Sequence, residues 1–231
     1  MPAEIVLASG RDADLIDLGD GRLLRRPRQT RPLEAEVALM RFVRSAGYPV
    51  PEVFELRPDG MVLERVPGPT MLDDLAAHPW RVGRHARTLA ALHRDLHRIP
   101  AADGLRQAFG NPARGDVVVH GDLHPGNVLL SPTGPVVIDW SSGGRGPAGA
   151  DVADAWLVLA AAAVPGPAVQ RALLSLFRRR FLAAFLRAAG REEAARNLPA
   201  AAARRSADLN LAEAERAAML RIVARHSSAP T

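Results

Sequence analysis

The stretch Val117-Val118-Val119-His120-Gly121-Asp122-Leu123-His124-Pro125-Gly126-Asn127-Val128-Leu129-Leu130 sets two histidines, an aspartate and an asparagine between two short apolar runs. A second apolar run, Val136-Val137-Ile138, ends on another carboxylate, Asp139, followed by Trp140. Polar residues at the mouths of short buried strands are presented to a cleft while the strands hold them in place. This residue set suits phosphoryl transfer, which depends mainly on positioning and on neutralising charge. Asp122 can take the proton of an attacking hydroxyl. Asn127 and Asp139 offer the hard oxygen donors that magnesium prefers when it sits on nucleotide phosphates. His120 reads as a buried architectural histidine, and His124 as either a loop stabiliser or a substrate-side group.

The same residues also admit two other readings. Gly121-Asp122-Leu123-His124 also offers Asp and His as ligands for a metal-dependent phosphohydrolase, but that chemistry wants Gly-Asn-His, and Val128 follows Gly126-Asn127. A nucleotide-binding pseudokinase, acting as an interaction module, would normally have lost Asp122, Asn127 or Asp139, and all three are present.

These residues need elements to position them. Short apolar or alternating runs at Glu4 to Ala8, Ala13 to Leu18 and Arg22 to Arg26 read as strands, the last two joined by a Gly19-Asp20-Gly21 turn. Helical spacing of Leu33, Val37, Met40 and Val43 predicts a helix over 32–46, closed by Gly47. Val53 to Leu56 and Met61 to Val66 form a further hairpin around Pro58-Asp59-Gly60. Pro67-Gly68-Pro69 interrupts the pattern, which places a lobe boundary there: 1–66 as an N-terminal lobe and 67–231 as a C-terminal one. Beyond it, Thr70 caps a short helix and Trp80 to His97 reads as a longer one. The chain from Asp151 onward is rich in alanine and leucine at helical spacing. The expected class is α+β: a small antiparallel sheet with one helix, then a mainly helical lobe.

Composition narrows the partners. All 30 basic residues are arginine, and the formal charge is +5. No basic run carries interleaved aromatics, so nucleic-acid binding is not expected. The longest apolar run, Ala155 to Val164, is too short to span a bilayer. With no charged, apolar leader at the start, cytoplasmic residence is the expectation. Cysteine is absent, which excludes disulfides and thiolate metal sites. No protein partner is evident.

His-Gly-Asp followed four residues later by Asn, then Ile-Asp-Trp, resembles the aminoglycoside phosphotransferase and choline kinase superfamily, relatives of the protein kinases. The resemblance implies a protein-kinase-like two-lobed fold and an ATP-dependent kinase acting on a small hydroxylated acceptor, with Asp122 as the base and magnesium on Asn127 and Asp139. It further implies that Arg25 faces the nucleotide phosphates, that Glu36 pairs with Arg25, and that the backbone from Glu64 to Val66 borders the adenine. Asp151 corresponds to the acid that braces the catalytic loop. Departures are also visible. The nucleotide loop, Ala8-Ser9-Gly10-Arg11-Asp12, has a single glycine, and Gly146-Pro147-Ala148 lacks the acid common before the bracing helix. From Pro165 to the end, twelve arginines face five acids, which predicts a neutral or anionic acceptor over a strongly cationic aminoglycoside. Asp154 is expected to cap a helix or face solvent, without a role.

Overall fold

The structure, a computed structural model, describes residues 5–9, 13–29, 31–110, 115–161, 167–207 and 211–227. Contacts divide the chain into two compact units, Met1–Pro69 with Val128–Ser141, and Thr70–Asn127 with Ser142–Thr231.

The first unit opens with strands β1 (Ile5–Ser9), β2 (Ala13–Gly19) and β3 (Arg22–Pro27), and continues with helix α1 (Glu34–Ser45) and strands β4 (Val53–Arg57) and β5 (Gly60–Glu64). The five strands make one antiparallel sheet in the order β1-β2-β3-β5-β4. The turn between β2 and β3 needs positive φ at three successive residues, Gly19, Asp20 and Gly21, which is why glycine brackets the aspartate. Helix α1 buries Val37, Leu39, Met40 and Val43 on one face, and Glu34 and Glu36 in its first turn suit the positive end of the helix dipole. The strand expected to reach Val66 ends at Glu64, beyond which the chain is irregular to Pro69.

The second unit begins with α2 (Met71–Ala77), α3 (Val82–Leu96) and the three-residue strand β6 (Val117–Val119). Thr70 caps α2: its hydroxyl accepts from the Asp73 amide, and the Asp73 carboxylate accepts from the Thr70 amide. Trp80 lies ahead of α3, in a 3₁₀ turn over Pro79–Arg81, and is largely exposed.

The chain then returns to the first unit for the hairpin β7 (Val128–Ser131) and β8 (Gly134–Val137). Backbone hydrogen bonds fasten this hairpin to that unit: Leu130 N–H donates to Pro69 O at 2.9 Å, and Val137 N–H to Pro49 O at 2.8 Å. Gly68 passes so close to the Leu130 carbonyl, at φ +126°, that a Cβ there would overlap it.

Back in the second unit, β9 (Gly144–Gly146) pairs with β6, and α4 (Ala148–Ala161), α5 (Ala168–Ala189), α6 (Arg191–Ser206) and α7 (Glu213–Ser227) complete the chain. Sequence pattern missed β9. Its Gly-Arg-Gly carries no apolar alternation, and the glycines are there because Arg106, Phe109 and Val119 crowd them. Helix α4 is buried at every residue from Gly149 to Leu157, with α5, α6 and α7 packed against it. Leu89, Leu96, Leu123, Leu157, Phe185, Leu198 and Met219 form the core of this unit. The fold is thus α+β, with the helices concentrated in the second unit. Among the described residues no helix is long and apolar enough to cross a membrane.

Gly68→Ala combines a left-handed backbone with a clash against a carbonyl that cannot move without breaking the hairpin. It should lower stability by about 3 kcal/mol, read as a drop in thermal midpoint and in denaturant midpoint.

Candidate active site

Asp122 stands just past β6. The buried Val118 and Val119 bring the chain to His120, and Gly121 then turns it at φ 71°. A side chain on Gly121 would meet the Ser142 carbonyl and the Arg204 guanidinium, so the turn requires glycine both for its torsion and for its space. His120 is wholly buried, and its Nδ1 accepts the Asp122 amide at 3.2 Å. The 3₁₀ turn Pro125–Asn127 then brings Asn127 back over the aspartate. Asn127 Nδ2 donates to Asp122 O at 2.9 Å and to Asp122 Oδ2 at 3.2 Å. His124 Nδ1 accepts the Gly126 amide at 3.1 Å, and its Nε2 lies 3.7 Å from Asp122 Oδ2.

The turn is held from beneath by α4. Asp151, in the first turn of that helix, is fully buried and accepts the Gly121 amide at 2.6 Å and the His120 amide at 3.2 Å. Two histidines at the C-terminal end of α3 meet the same carboxylate, the capping His97 through Nε2 at 2.9 Å and His93 through Nδ1 at 3.5 Å. His93 Nε2 also donates to Leu123 O at 3.2 Å, so α3 grips the turn at a third point. Burial pushes the Asp151 carboxyl up, but the two histidines outweigh it and hold it well below the usual carboxylate range. His93, His97 and Asp151 are close enough together to ligate an ion, with ligand atoms within 4.8 Å of one another. Here, however, Asp151 is committed to two backbone amides and His97.

Two arginines at the end of α6 complete the arrangement, and sequence reasoning did not find them. Arg205 Nη2 donates to Asp122 Oδ1 and also to Asp154 Oδ2, the latter at 2.6 Å. Arg204 donates to the Gly121 carbonyl through Nη2 and to Asp154 Oδ1 at 3.2 Å through Nη1. Asp154, expected to cap a helix or face solvent, is instead fully buried between these guanidiniums. The only available signal was its position three residues after Asp151, on nearly the same face of α4. Burial raises the Asp122 carboxyl, but His124 and Arg205 together carry it below its ordinary range, so it is an anion at neutral pH.

The first unit holds a separate set. Arg25, on β3, donates through Nη1 to Glu36 Oε1 at 3.0 Å and through Nη2 to Asp139 Oδ1 at 3.2 Å. Glu36 reaches Arg31 Nη2 with its other oxygen at 2.7 Å. The Arg25 and Glu36 side chains are only 11% and 5% exposed, which separates this pair from an ordinary surface ion pair. Asp139 follows β8 in a left-handed conformation, φ 61°, unusual for a residue other than glycine. Beside it Trp140 is buried, with its indole N–H on Val137 O at 3.1 Å and the Tyr48 ring edge-on at 5.7 Å. Strain of this kind persists only where the surroundings over-determine it, and it collects at functional positions. Glu64 closes β5, exchanging backbone and side-chain hydrogen bonds with Glu52, and Val66 lies two residues on, half-buried. Of the expected nucleotide loop, Gly10, Arg11 and Asp12 lie outside the described residues.

The structure therefore brings Asp122, Asn127, His124, His120 and Asp151 together in one unit, and Arg25, Glu36 and Asp139 in the other. Comparison with known proteins bears on the family and the fold. The model of the phosphotransferase enzyme family matches residues 5–116 and 105–202. A sequence search finds no matching relative among curated proteins. Among solved structures, an aminoglycoside-3'-phosphotransferase of type VIII is similar at 24% identity and TM-score 0.59, over 97% of this chain and 93% of that one. A choline/ethanolamine kinase family protein from Mesorhizobium loti is similar at 16% identity and TM-score 0.56, over 98% and 87%. An amicoumacin kinase in complex with AMP-PNP and calcium is similar at 15% identity and TM-score 0.59, over 100% and 90%. These likenesses give the fold as protein-kinase-like, and the match of the family model over most of the sequence makes this chain a member of the phosphotransferase enzyme family.

Proposed function

We propose that this protein is an ATP-dependent small-molecule kinase that transfers the γ-phosphoryl group to a hydroxyl of a metabolite or antibiotic. The observation that carries the reading is the Asp122–Asn127 turn. An ionised carboxylate is locked in place by an amide five residues away, and the backbone just before it rests on the buried Asp151. Reactions that depend on positioning need a base whose rotamer and surroundings are already set.

In this reading Asp122 receives the proton of the acceptor hydroxyl as the new oxygen–phosphorus bond forms and the bond to the ADP leaving group breaks. Asn127 and Asp139 would hold magnesium. Each side chain by itself suits a hard cation: the Asn127 amide nitrogen is spent on Asp122, which leaves its amide oxygen, and Asp139 offers a carboxylate, one oxygen of which meets Arg25. When bound, magnesium neutralises charge on the phosphate oxygens. Arg25, steadied by Glu36, would meet the phosphates, while the backbone of Glu64 and Val66 would border the adenine. The division into a nucleotide-binding lobe over 1–66 and a catalytic and acceptor-binding lobe over 67–231 belongs to the same proposal. So does a cytoplasmic location, where ATP is supplied.

The direct test incubates the protein with magnesium-ATP and a library of hydroxylated metabolites and antibiotics, and follows phosphoryl addition by mass. ATP binding with no acceptor modified would favour a nucleotide-binding module instead. Asp122→Asn keeps the shape of the side chain but removes the base. It should lower kcat by about 10²- to 10⁴-fold while nucleotide affinity changes by less than about twofold. Full activity in this variant would remove Asp122 from its role. Asp139→Ala should abolish the magnesium-dependent part of nucleotide binding, compared by calorimetry with and without the metal. Unchanged binding would take Asp139 out of the metal set.

A further inference from the structure

The carboxylates around the proposed base are already matched with positive charge or donors. Asp122 Oδ1 accepts from Arg205 Nη2, and the same nitrogen serves Asp154 Oδ2 at 2.6 Å. The other oxygen of Asp154 takes Arg204 at 3.2 Å. Asp151 is used by the His120 and Gly121 amides and by His97. Among the described residues framing this turn, Asp151 and Asp154 are wholly buried and paired, and beyond the partly exposed Asp122, already shared between Arg205 and Asn127, no carboxylate is left open to an ammonium group. A polycationic acceptor needs such carboxylates, and it would instead approach two guanidiniums.

Arg205 is in the opposite condition. One of its terminal nitrogens carries both of its ion pairs, and its Nε is buried without a hydrogen-bond partner. Its side chain is 17% exposed, and its hydrogen bonds to the described residues all run through Nη2, which leaves donor capacity on the guanidinium. An acceptor hydroxyl hydrogen-bonded to Asp122 lies within about 5 Å of this guanidinium if it shares Oδ1 with Arg205, and within about 7 Å if it sits on Oδ2. At either distance, in a partly buried site, charge on the acceptor is felt strongly. Arginine also presents a planar fork that suits carboxylate geometry. The charge of the surrounding chain has the same sign, with twelve arginines against five acids from Pro165 to the end.

We propose that Arg205 is a specificity-determining residue: the acceptor carries a carboxylate or similar anionic group near its reacting hydroxyl, and the Arg205 guanidinium holds that group. The inference rests on the kinase reading above and names its substrate class. The reaction balances as an ordinary phosphoryl transfer. The acceptor oxygen bonds phosphorus, ADP leaves, and the hydroxyl proton passes to Asp122, while Arg205 binds and orients without changing its own bonds.

The test compares wild type, Arg205→Met and Arg205→Lys, each checked for folding by its melting midpoint, on three acceptor sets with magnesium-ATP. These are hydroxy acids such as gluconate and glycerate, their neutral counterparts glucose and glycerol, and the amines glucosamine and kanamycin, with products read by mass and kcat/KM measured. Wild type should favour hydroxy acids by about tenfold or more over neutral partners and leave the amines nearly untouched. Arg205→Met should remove that preference, chiefly through KM for the acid, and Arg205→Lys should keep part of it. Efficient phosphorylation of the amines by wild type, or an acid preference unchanged in Arg205→Met, overturns the role of Arg205 and leaves the kinase reading standing. Phosphorylation of no acceptor in any set counts against the kinase reading itself, and the inference falls with it. If Arg205→Met does not fold, the wild-type order of preference decides alone.

Discussion

The carboxylate of Asp151 is the constraint on which the second unit depends. It is fully buried, and an isolated ion in that position would cost several kcal/mol. Its charge is spread over two backbone amides and a histidine, with a second histidine at 3.5 Å, so it is satisfied only if the turn at His120 and Gly121 takes one conformation. That conformation, in turn, points Asp122 away from the core. The brace also ties three parts of the chain together: α4 supplies the acid, α3 and its C-cap the histidines, and the turn after β6 the amides. Displacing any one of them leaves a buried charge unpaired, which is the most expensive failure available to this unit.

The first unit is organised around a smaller version of the same device. Glu36 is buried in α1 and bridges two arginines, one on β3 and one just before the helix. Arg25 passes that order on to Asp139, whose left-handed backbone is held between the buried Trp140 and a strand end. In both units a buried anion positions an exposed or half-exposed group, and the pairings are specific because the alternatives leave charge without compensation. Such networks contribute little net stability compared with an apolar core, and they define geometry instead.

Arg204 and Arg205 show how the end of a helix can reshape a site built elsewhere. Both side chains leave α6 toward Asp154, and between them they reach the Gly121 carbonyl and the Asp122 carboxylate. Their effect is electrostatic, converting a pair of neighbouring acids into a nearly neutral cluster. A family motif read alone says nothing of this, because the motif lies in the turn and the neutralising charges lie in the helical end of the chain.

Local chemistry was legible in the sequence wherever neighbours in the chain are neighbours in space. The turn from His120 to Asn127 was readable because a 3₁₀ turn closes Asp122 on Asn127 within five positions, and Asp139 because it ends an apolar run. The hairpins and α1 followed from glycine turns and from the period of buried residues. Strand β9 was not legible, since Gly-Arg-Gly acquires its strand character only from pairing with β6. The partner of the proposed base was equally hidden: Arg205 lies 83 positions from Asp122, and no period or spacing links them. The sequence by itself determined the types of chemical group and the short elements that carry them, because turns and amphipathic periods are local properties. Only the tertiary structure decided which charges meet, because ion pairs between distant residues depend on how α4 and α6 pack.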